Sequence, residues 1–374
     1  MFIPDVVSDE HQQLRATVRR FLADRATEAD VRRVIDTDPG YDVSLWQQMA
    51  SELELQGLGV PEAYGGCGYG VEETTIVCEE LGRALLPSPF FPTVNLAANL
   101  LLAIGDQDAN RQYLPPIVSG ELVATVAVAE ESGSWQPGDL SAVTAEHRVG
   151  GWRLHGEKRA VLSADAAGLI LVVASGAAGI SVYAVDPAAA GVTVVRLSAL
   201  DLTRRQSKVR FDNAPATLVG SPGAAGPAVA TALDAAAVAL AAEQAGAAAR
   251  LVQLCVDYAK LRRQFGQPIG AFQAIKHKLA DMAFDLERMD SLVRHAATTA
   301  ASGSPELPVI ATMAKVFCSE ALFRVAVETI QVHGGIGFTW EHVAHLYFRR
   351  AKSSEYLLGS PTQHRRILLE RLGA

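Results

Sequence analysis

The chain has 374 residues, of which 49% are hydrophobic and 20% are charged. This composition gives room for two or three packed units and excludes an intrinsically disordered protein. The formal net charge of −8 argues against a nucleic-acid partner, because neutralising phosphates requires a basic face.

The cysteines and the N-terminus bear on the compartment. The four cysteines are scattered, with no CxxC pair and no His/Cys ligand spacing. We therefore expect a reducing cytoplasm, no disulfide or zinc framework and no metal site. No basic segment followed by an apolar one begins the chain, so no export signal is expected.

The Ala-rich stretch 229–251 carries Asp234, Glu243 and Arg250, which predicts a buried helix rather than a membrane span.

Helical patterns predominate over residues 1–120, the predicted N-terminal helical domain. Apolar residues recur at helical spacing from Leu14 to Leu22. A Gly-rich loop is expected at 60–70 and a further helix at 72–86.

From residue 121 the spacing of the apolar residues becomes typical of short β-strands. This predicts a middle β-barrel domain over 121–225, with a sandwich as the alternative. Stretch 168–185 is typical of a hairpin, and 212–227 of a linker leaving the domain. Six short β-rich runs carry this prediction: 122–129, 152–162, 169–174, 180–185, 191–197 and 207–211. From 226 to 374, long Ala/Leu patterns predict a C-terminal helical bundle.

Four segments, 59–83, 207–220, 258–282 and 331–352, resemble the acyl-CoA dehydrogenase family of flavoproteins. The resemblance implies a mainly α protein with a helical N-terminal domain, a middle β-barrel and a C-terminal four-helix bundle. It implies a cleft where FAD meets an acyl-CoA thioester, in a homo- or hetero-oligomer. Electron-transfer flavoprotein, or a similar acceptor, is the implied partner for reoxidation.

The segment "RRQFG" matches the family's contact with the FAD of a neighbouring subunit. By resemblance, Arg262 and Gln264 reach that FAD and Phe265 packs against it. A guanidinium suits a pyrophosphate because its planar fork donates two charge-assisted hydrogen bonds.

The segment "QVHGGIGF" resembles the backbone nest for the same pyrophosphate, with Gln331, Gly334 and Gly335 as its members. His333 and His277 are more simply interpreted as structural residues. By resemblance, Ser134 and Ser360 are further cofactor contacts.

The family's strand beside the flavin is matched less well. Ala160 and Leu162 stand where the family has Trp and Thr. The fold pattern is kept there, whereas the polar contact to the flavin is lost.

The family's catalytic carboxylate is missing from both of its usual positions. In most members a Glu in a Tyr-Glu-Gly-Thr turn removes the α-proton, and counting from Gln331 places Leu358 there. In other members the Glu lies on the first long bundle helix, where this chain has Ala236, followed by Ala237. The N–H of Leu358 is still expected to polarise a thioester carbonyl, which makes Leu358 a substrate-binding residue.

Among the remaining acids, Glu243 is the best substitute base, because burial in an Ala-rich helix is expected to raise its pKa. A structural hydrogen bond to a neighbouring helix is the simpler interpretation. Asp234 points away from that helix face, and Glu355 is expected to face solvent beside Arg349 and Arg350. Losing a positioned base costs ~10²–10⁴-fold in rate.

The leading hypothesis is a subunit that lacks the base in a heteromeric α2β2 acyl-CoA dehydrogenase, similar to those of actinobacteria. Its reaction is α,β-dehydrogenation of fatty acyl or steroid side-chain thioesters. Two alternatives stay open: a self-sufficient enzyme that uses Glu243, and a non-enzymatic flavin-binding or structural partner.

Overall fold

The computed structural model describes residues 8–373. Its N-terminal part is helical, as predicted. The helices are α1 (Asp9–Arg25), α2 (Glu28–Ile35), α3 (Val43–Ser51), α4 (Val71–Arg83), a π-helical turn (Phe91–Ala98) continuing into α5 (Asn99–Ile104), and α6 (Gln107–Val118). Ser8 caps helix α1, because its side chain accepts the N–H of His11, and the buried face of the helix carries Val18, Phe21 and Leu22. Helix α4 ends at Arg83 rather than at 86, because Leu85 takes a left-handed φ of 52°.

The middle part is a closed β-barrel. The strands are β1 (Ala124–Ala127), β2 (Thr144–Arg148), β3 (Gly151–Leu162), β4 (Leu169–Gly176), β5 (Gly179–Val185), β6 (Val192–Arg196) and β7 (Gln206–Val219). Strands β4, β2, β3, β7 and β5 form a ring, which β5 closes by pairing with both β4 and β7. Strand β1 extends the sheet beside β4, and β6 pairs with β7. Closure leaves few exposed strand edges.

Two details of the barrel differ from the prediction. Strand β7 continues to Val219, so the first half of the linker expected at 212–227 is strand. Strand β2 was not predicted, because its sequence is polar and only Ala145 is buried. The hairpin expected at 168–185 is confirmed as antiparallel β4 and β5.

The C-terminal part is helical, as predicted. It comprises α7 (Gly226–Leu261), a two-stranded hairpin of β8 (Arg263–Gln264) and β9 (Gln267–Pro268), α8 (Gln273–Ala301), α9 (Leu307–His333), α10 (Ala344–Tyr356) and α11 (Pro361–Leu372). Among the described residues, α7 alone is long and apolar enough to span a membrane, and 67% of its apolar window is buried within the protein.

Two glycines let the N-terminal part pack closely against α7. A Cβ on Gly82 of α4 would overlap the carbonyl oxygen of Glu243, and a Cβ on Gly246 would overlap that of Glu79. This reciprocal contact fixes Glu243 next to α4. Between residues 8 and 373, no group of three His, Cys, Asp or Glu side chains is placed to hold a metal ion, and the four cysteines are free.

Candidate active site and cofactor surfaces

The turn after α10 is built around Leu358. Its φ is 63° and its side chain is 3% exposed, a strained conformation that a buried leucine rarely adopts. The ring of His364 holds the turn, since its Nε2 lies 2.9 Å from the carbonyl oxygen of Leu358. Burial lowers the pKa of His364 to about 4, so the ring is neutral near pH 7. Within residues 8–373 the N–H of Leu358 donates to no acceptor, so it remains available to a ligand.

Lys315 of α9 fixes the end of α10 just before this turn. Its ammonium group is fully buried and donates to the carbonyl oxygens of Ser354 and Glu355, both at 3.0 Å. Its third contact is Ser319 Oγ at 2.8 Å. These bonds satisfy carbonyls that a helix end leaves unpaired. Burial lowers the pKa of Lys315 to about 7.

Glu243 is locked in a buried ion-pair cluster. Its Oε1 accepts from Arg350 Nη1 at 2.5 Å and from Arg204 Nη2. Arg350 Nε also lies 2.9 Å from Asp201 Oδ2, and Arg204 donates to Ser354 Oγ at 2.9 Å. All four charged residues are less than 10% exposed. The structural interpretation of Glu243 is therefore the better one, with the partners coming from α10 and from the segment before β7.

The expected rise in the pKa of Glu243 is wrong. Burial raises it, but the guanidinium groups of Arg204 and Arg350 outweigh burial and hold the pKa below its ordinary value. The cavity next to this carboxylate has a volume of about 20 Å³, which holds a water molecule but no acyl chain. A carboxylate so placed is a poor proton acceptor.

The other acids are paired as well. Asp234 accepts from Arg371 of α11 at 2.8 Å. Glu355 does not face solvent as expected: its side chain is 17% exposed and bonds to Lys352 at 2.7 Å. Ala236 is completely buried. No carboxylate among these takes the position of the missing base.

The loop that carries Ser134 is anchored by Glu130. This carboxylate accepts the N–H groups of three consecutive residues, 141–143, at 2.8–3.1 Å, and the buried ammonium of Lys158 at 2.8 Å. Burial raises the pKa of Glu130, but Lys158 and the N–H groups outweigh it and lower the pKa overall. The ion pair is structural and shapes the loop. Ser134 itself donates to Asp139 at 2.6 Å.

A cleft of about 280 Å³ lies between this loop, β3 and the end of α10. Trp135, Ala160 and Leu357 line it, and Ala160 takes a left-handed φ of 51° at a bulge in β3. Leu162 is buried rather than exposed to the cleft. Ser360 caps α11, where its side chain accepts the N–H of Gln363 at 3.3 Å. The roles of Ser134 and Ser360 toward a cofactor stay predictions.

A second surface lies at the far end of α7. There the β8–β9 hairpin presents Arg262, Gln264 and Phe265, all exposed, with Phe265 exposed by 93%. Within the described part of the chain, the guanidinium of Arg262 has no hydrogen-bond or ion-pair partner. An exposed phenylalanine beside a free cation is typical of a surface that another molecule covers.

The "QVHGGIGF" segment lies beside this hairpin. Tyr258, one turn before Arg262, stacks on His333 with ring centroids 4.4 Å apart. His333 is buried, and its Nδ1 lies 2.8 Å from the carbonyl oxygen of Thr329, which agrees with a structural role. A Cβ on Gly334 or Gly335 would meet nothing within 4 Å, so this backbone is open to an incoming anion.

The predicted cofactor residues thus fall into two sets. One set lies at the hairpin, beside Tyr258 of α7. The other lies near Glu243 of α7, whose partner Arg350 is on the helix that ends at the Leu358 turn. Fifteen residues of α7 separate Tyr258 from Glu243. At 1.5 Å per residue this is ~22 Å. The missed residues are Arg204, Asp201 and Arg350, for which the sequence offers no local signal.

The helical part, closed barrel and helical bundle define an acyl-CoA dehydrogenase fold, and the chain belongs to the acyl-CoA dehydrogenase family. The family model for the N-terminal domain matches residues 8–121, and that for the C-terminal domain matches residues 226–373.

Several relatives resemble the chain over nearly its whole length. Acyl-CoA dehydrogenase IpdE2 of Mycobacterium tuberculosis is 35% identical over 359 residues, covering 95% of each chain. A solved variant of the Tcur3481–Tcur3483 steroid acyl-CoA dehydrogenase is 31% identical with a TM-score of 0.88 and covers 98% of each chain. The ChsE4–ChsE5 complex of M. tuberculosis is 28% identical, with a TM-score of 0.88 and the same coverage.

FAD, the cofactor expected from the sequence, is confirmed at the level of the family. A Bacillus anthracis acyl-CoA dehydrogenase solved in complex with FAD is 25% identical, with a TM-score of 0.91, covering 99% of this chain and 68% of that one. The residues of this chain fit FAD at two separate surfaces, one for its pyrophosphate and one for its ring. The open backbone at Gly334 and Gly335 and the unpaired Arg262 suit a pyrophosphate, and the cleft at Ala160 is open to a ring.

Proposed function

We propose that this chain is the subunit without a catalytic base in a heteromeric, FAD-dependent acyl-CoA dehydrogenase. The observation that carries the proposal is the turn at Leu358. It keeps a strained backbone with a free N–H but presents an apolar side chain where the family places Glu. When bound, FAD supplies hydride acceptance from the β-carbon of an acyl-CoA thioester. The carboxylate that removes the α-proton comes from the partner chain.

This chain contributes binding groups rather than the base. The N–H of Leu358 donates to a thioester carbonyl. Arg262, Gln264 and Gln331, with the Gly334–Gly335 backbone, hold the pyrophosphate of an FAD shared with the partner. The ~22 Å between the hairpin and the Leu358 side of α7 supports a cofactor divided between two chains.

The partner also covers apolar surface at the hairpin. Phe265 is exposed by 93% and Phe338, in the "GGIGF" turn, by 77%. Burying two phenylalanines stabilises an interface by roughly 1.5–3 kcal/mol each. The solved two-chain relatives support a hetero-oligomer, and the steroid dehydrogenase among them favours steroid side-chain thioesters over simple fatty acyl ones. Electron-transfer flavoprotein is the proposed acceptor.

Co-purification tests this assembly. The chain is expressed alone and with a second acyl-CoA dehydrogenase chain from a neighbouring gene, and FAD content and mass in solution are measured. The proposal expects an α2β2 mass and more FAD per chain when the partner is present. Phe265→Ser lowers both, whereas Tyr69→Ser, at an exposed position in the N-terminal part, changes neither. A full FAD per chain in a homo-oligomer contradicts the proposal.

The cavity at Glu243 is too small for an acyl chain, which favours a second candidate, a flavin-binding or structural subunit that does not contact acyl-CoA. Calorimetric titration of the purified chain with an acyl-CoA separates the two. The first proposal expects binding, because the N–H of Leu358 is available to a thioester carbonyl, and the second expects none.

A further inference from the structure

An open cavity of about 460 Å³ lies where α1, α2, α4, α7 and α10 meet. It is separate from the cleft beside the Leu358 turn, because the two share no lining residue. One wall is apolar and is formed by Leu22, Ala26 and Leu85, each buried. The opposite wall carries three arginines. A volume of this size is typical of small-molecule sites.

The acids at this cavity already have partners. Glu80, 2% exposed, accepts from Arg19 at 2.7 and 2.8 Å and from Arg15 at 3.3 Å. Glu28, at the rim, accepts from Arg32 at 2.8 and 3.0 Å. Neither carboxylate is therefore free to neutralise the remaining cations.

Those cations are Arg83 and Arg250. Neither guanidinium makes a hydrogen bond or ion pair with any group in residues 8–373, although both are half-buried. Burial and then the neighbouring charge of Arg19 lower the pKa of Arg83; the charge of Glu80 opposes them without reversing the shift, and Arg250 lowers the pKa further. Nearby Tyr347 cannot neutralise them, because its hydroxyl donates to the carbonyl oxygen of Arg83 at 2.6 Å. Cations withdrawn from water without a partner are costly, and a bound anion removes that cost.

We propose that this cavity binds an organic anion whose carboxylate or phosphate lies between Arg83 and Arg250. The apolar body of the ligand contacts the wall of Leu22, Ala26 and Leu85. Guanidinium groups suit both head groups because they donate paired, charge-assisted hydrogen bonds. The proposal does not depend on the dehydrogenase reaction, since no residue of the Leu358 turn takes part.

Isothermal titration calorimetry of the full chain tests the site with three probes: octyl phosphate, octanoate and inorganic phosphate. Octyl phosphate or octanoate should bind one molecule per chain. Inorganic phosphate should bind at least about tenfold more weakly than octyl phosphate, because it lacks the apolar body. Arg250→Gln should weaken binding of the amphiphile by about tenfold or more. Arg111→Gln, at an exposed arginine of α6, should leave it unchanged.

A second variant keeps every arginine. Ala23 is exposed on α1 and lines the cavity, so Ala23→Glu should fold, pair with the free guanidinium groups and abolish binding. This variant decides the test if Arg250→Gln does not fold. The proposal is overturned if neither amphiphile binds, if Ala23→Glu binds as the wild type does, or if inorganic phosphate binds as tightly as octyl phosphate.

Discussion

Replacing Glu243 with Gln removes the negative charge that two buried guanidinium groups share. Arg204 and Arg350 are 7% and 4% exposed, and Asp201 is the one other acid in the cluster. Breaking a buried ion pair typically costs ~3–5 kcal/mol, because the remaining charge stays uncompensated in the interior. The amide oxygen of Gln still accepts one hydrogen bond, so we expect a loss of about 3 kcal/mol. Against a total stability of ~5–15 kcal/mol, this is a large fraction.

The free energy of unfolding is measured by guanidinium titration followed by circular dichroism. The matched control is Glu320→Gln, which breaks an exposed ion pair with Arg365 whose side chains are 34% and 52% exposed. Exposed pairs contribute ~0–1 kcal/mol, so the control should change little. A loss for Glu243→Gln no larger than that of the control refutes the buried cluster. If Glu243→Gln keeps the stability of the wild type but abolishes turnover of acyl-CoA, Glu243 is a catalytic base instead.

Three further predictions concern Leu358, the buried ion pair of Glu130 with Lys158, and His364. When FAD is added in excess, Leu358→Glu should give the chain without its partner acyl-CoA-dependent flavin bleaching, with a gain of up to ~10²-fold, whereas Leu358→Gln should give none. Glu130→Gln should lower the free energy of unfolding by about 3 kcal/mol, because it leaves buried Lys158 uncompensated; equal guanidinium midpoints for variant and wild type would contradict this. His364 should contribute a loss of about 3 kcal/mol of stability from pH 7 to 4, because the unfolded residue takes up a proton near 6.5 and the folded ring only near 4. His364→Asn should flatten this dependence in unfolding titrations at each pH.

Local patterns in the sequence were enough for most of the architecture. The helical spacing in α1 and the two β-branched runs of the 168–185 hairpin predicted those elements, because each is amphipathic or buried along its whole length. Strand β7 shows where such patterns fail. Its second half, "DNAPATLV", contains Asn and Pro and is typical of a loop, yet it pairs with β3 and β5. Asn213 forms a bulge there with φ 55°, and long-range pairing overrides the local signal.

The sequence likewise predicts some residues of the candidate site and misses others. Leu358 and Ala236 could be located from the sequence, because fixed spacings connect them to recognisable motifs. The partners of Glu243 could not, since Arg204 is 39 residues away and Arg350 is 107 residues away. The direction of its pKa shift was therefore predicted incorrectly. Burial alone raises a carboxyl pKa, and only the three-dimensional contacts reveal the two cations that lower it.

The most direct test is an anaerobic titration of the purified chain with fatty acyl-CoAs and steroid side-chain CoA thioesters, following the flavin absorbance. Titrations are run with the chain alone and with its partner dehydrogenase chain. If Leu358 and Ala236 mark a subunit without a base, bleaching should be absent or at least ~10²-fold slower until the partner is added. Rapid bleaching by the chain alone would contradict the account, because it requires a base that this chain supplies itself.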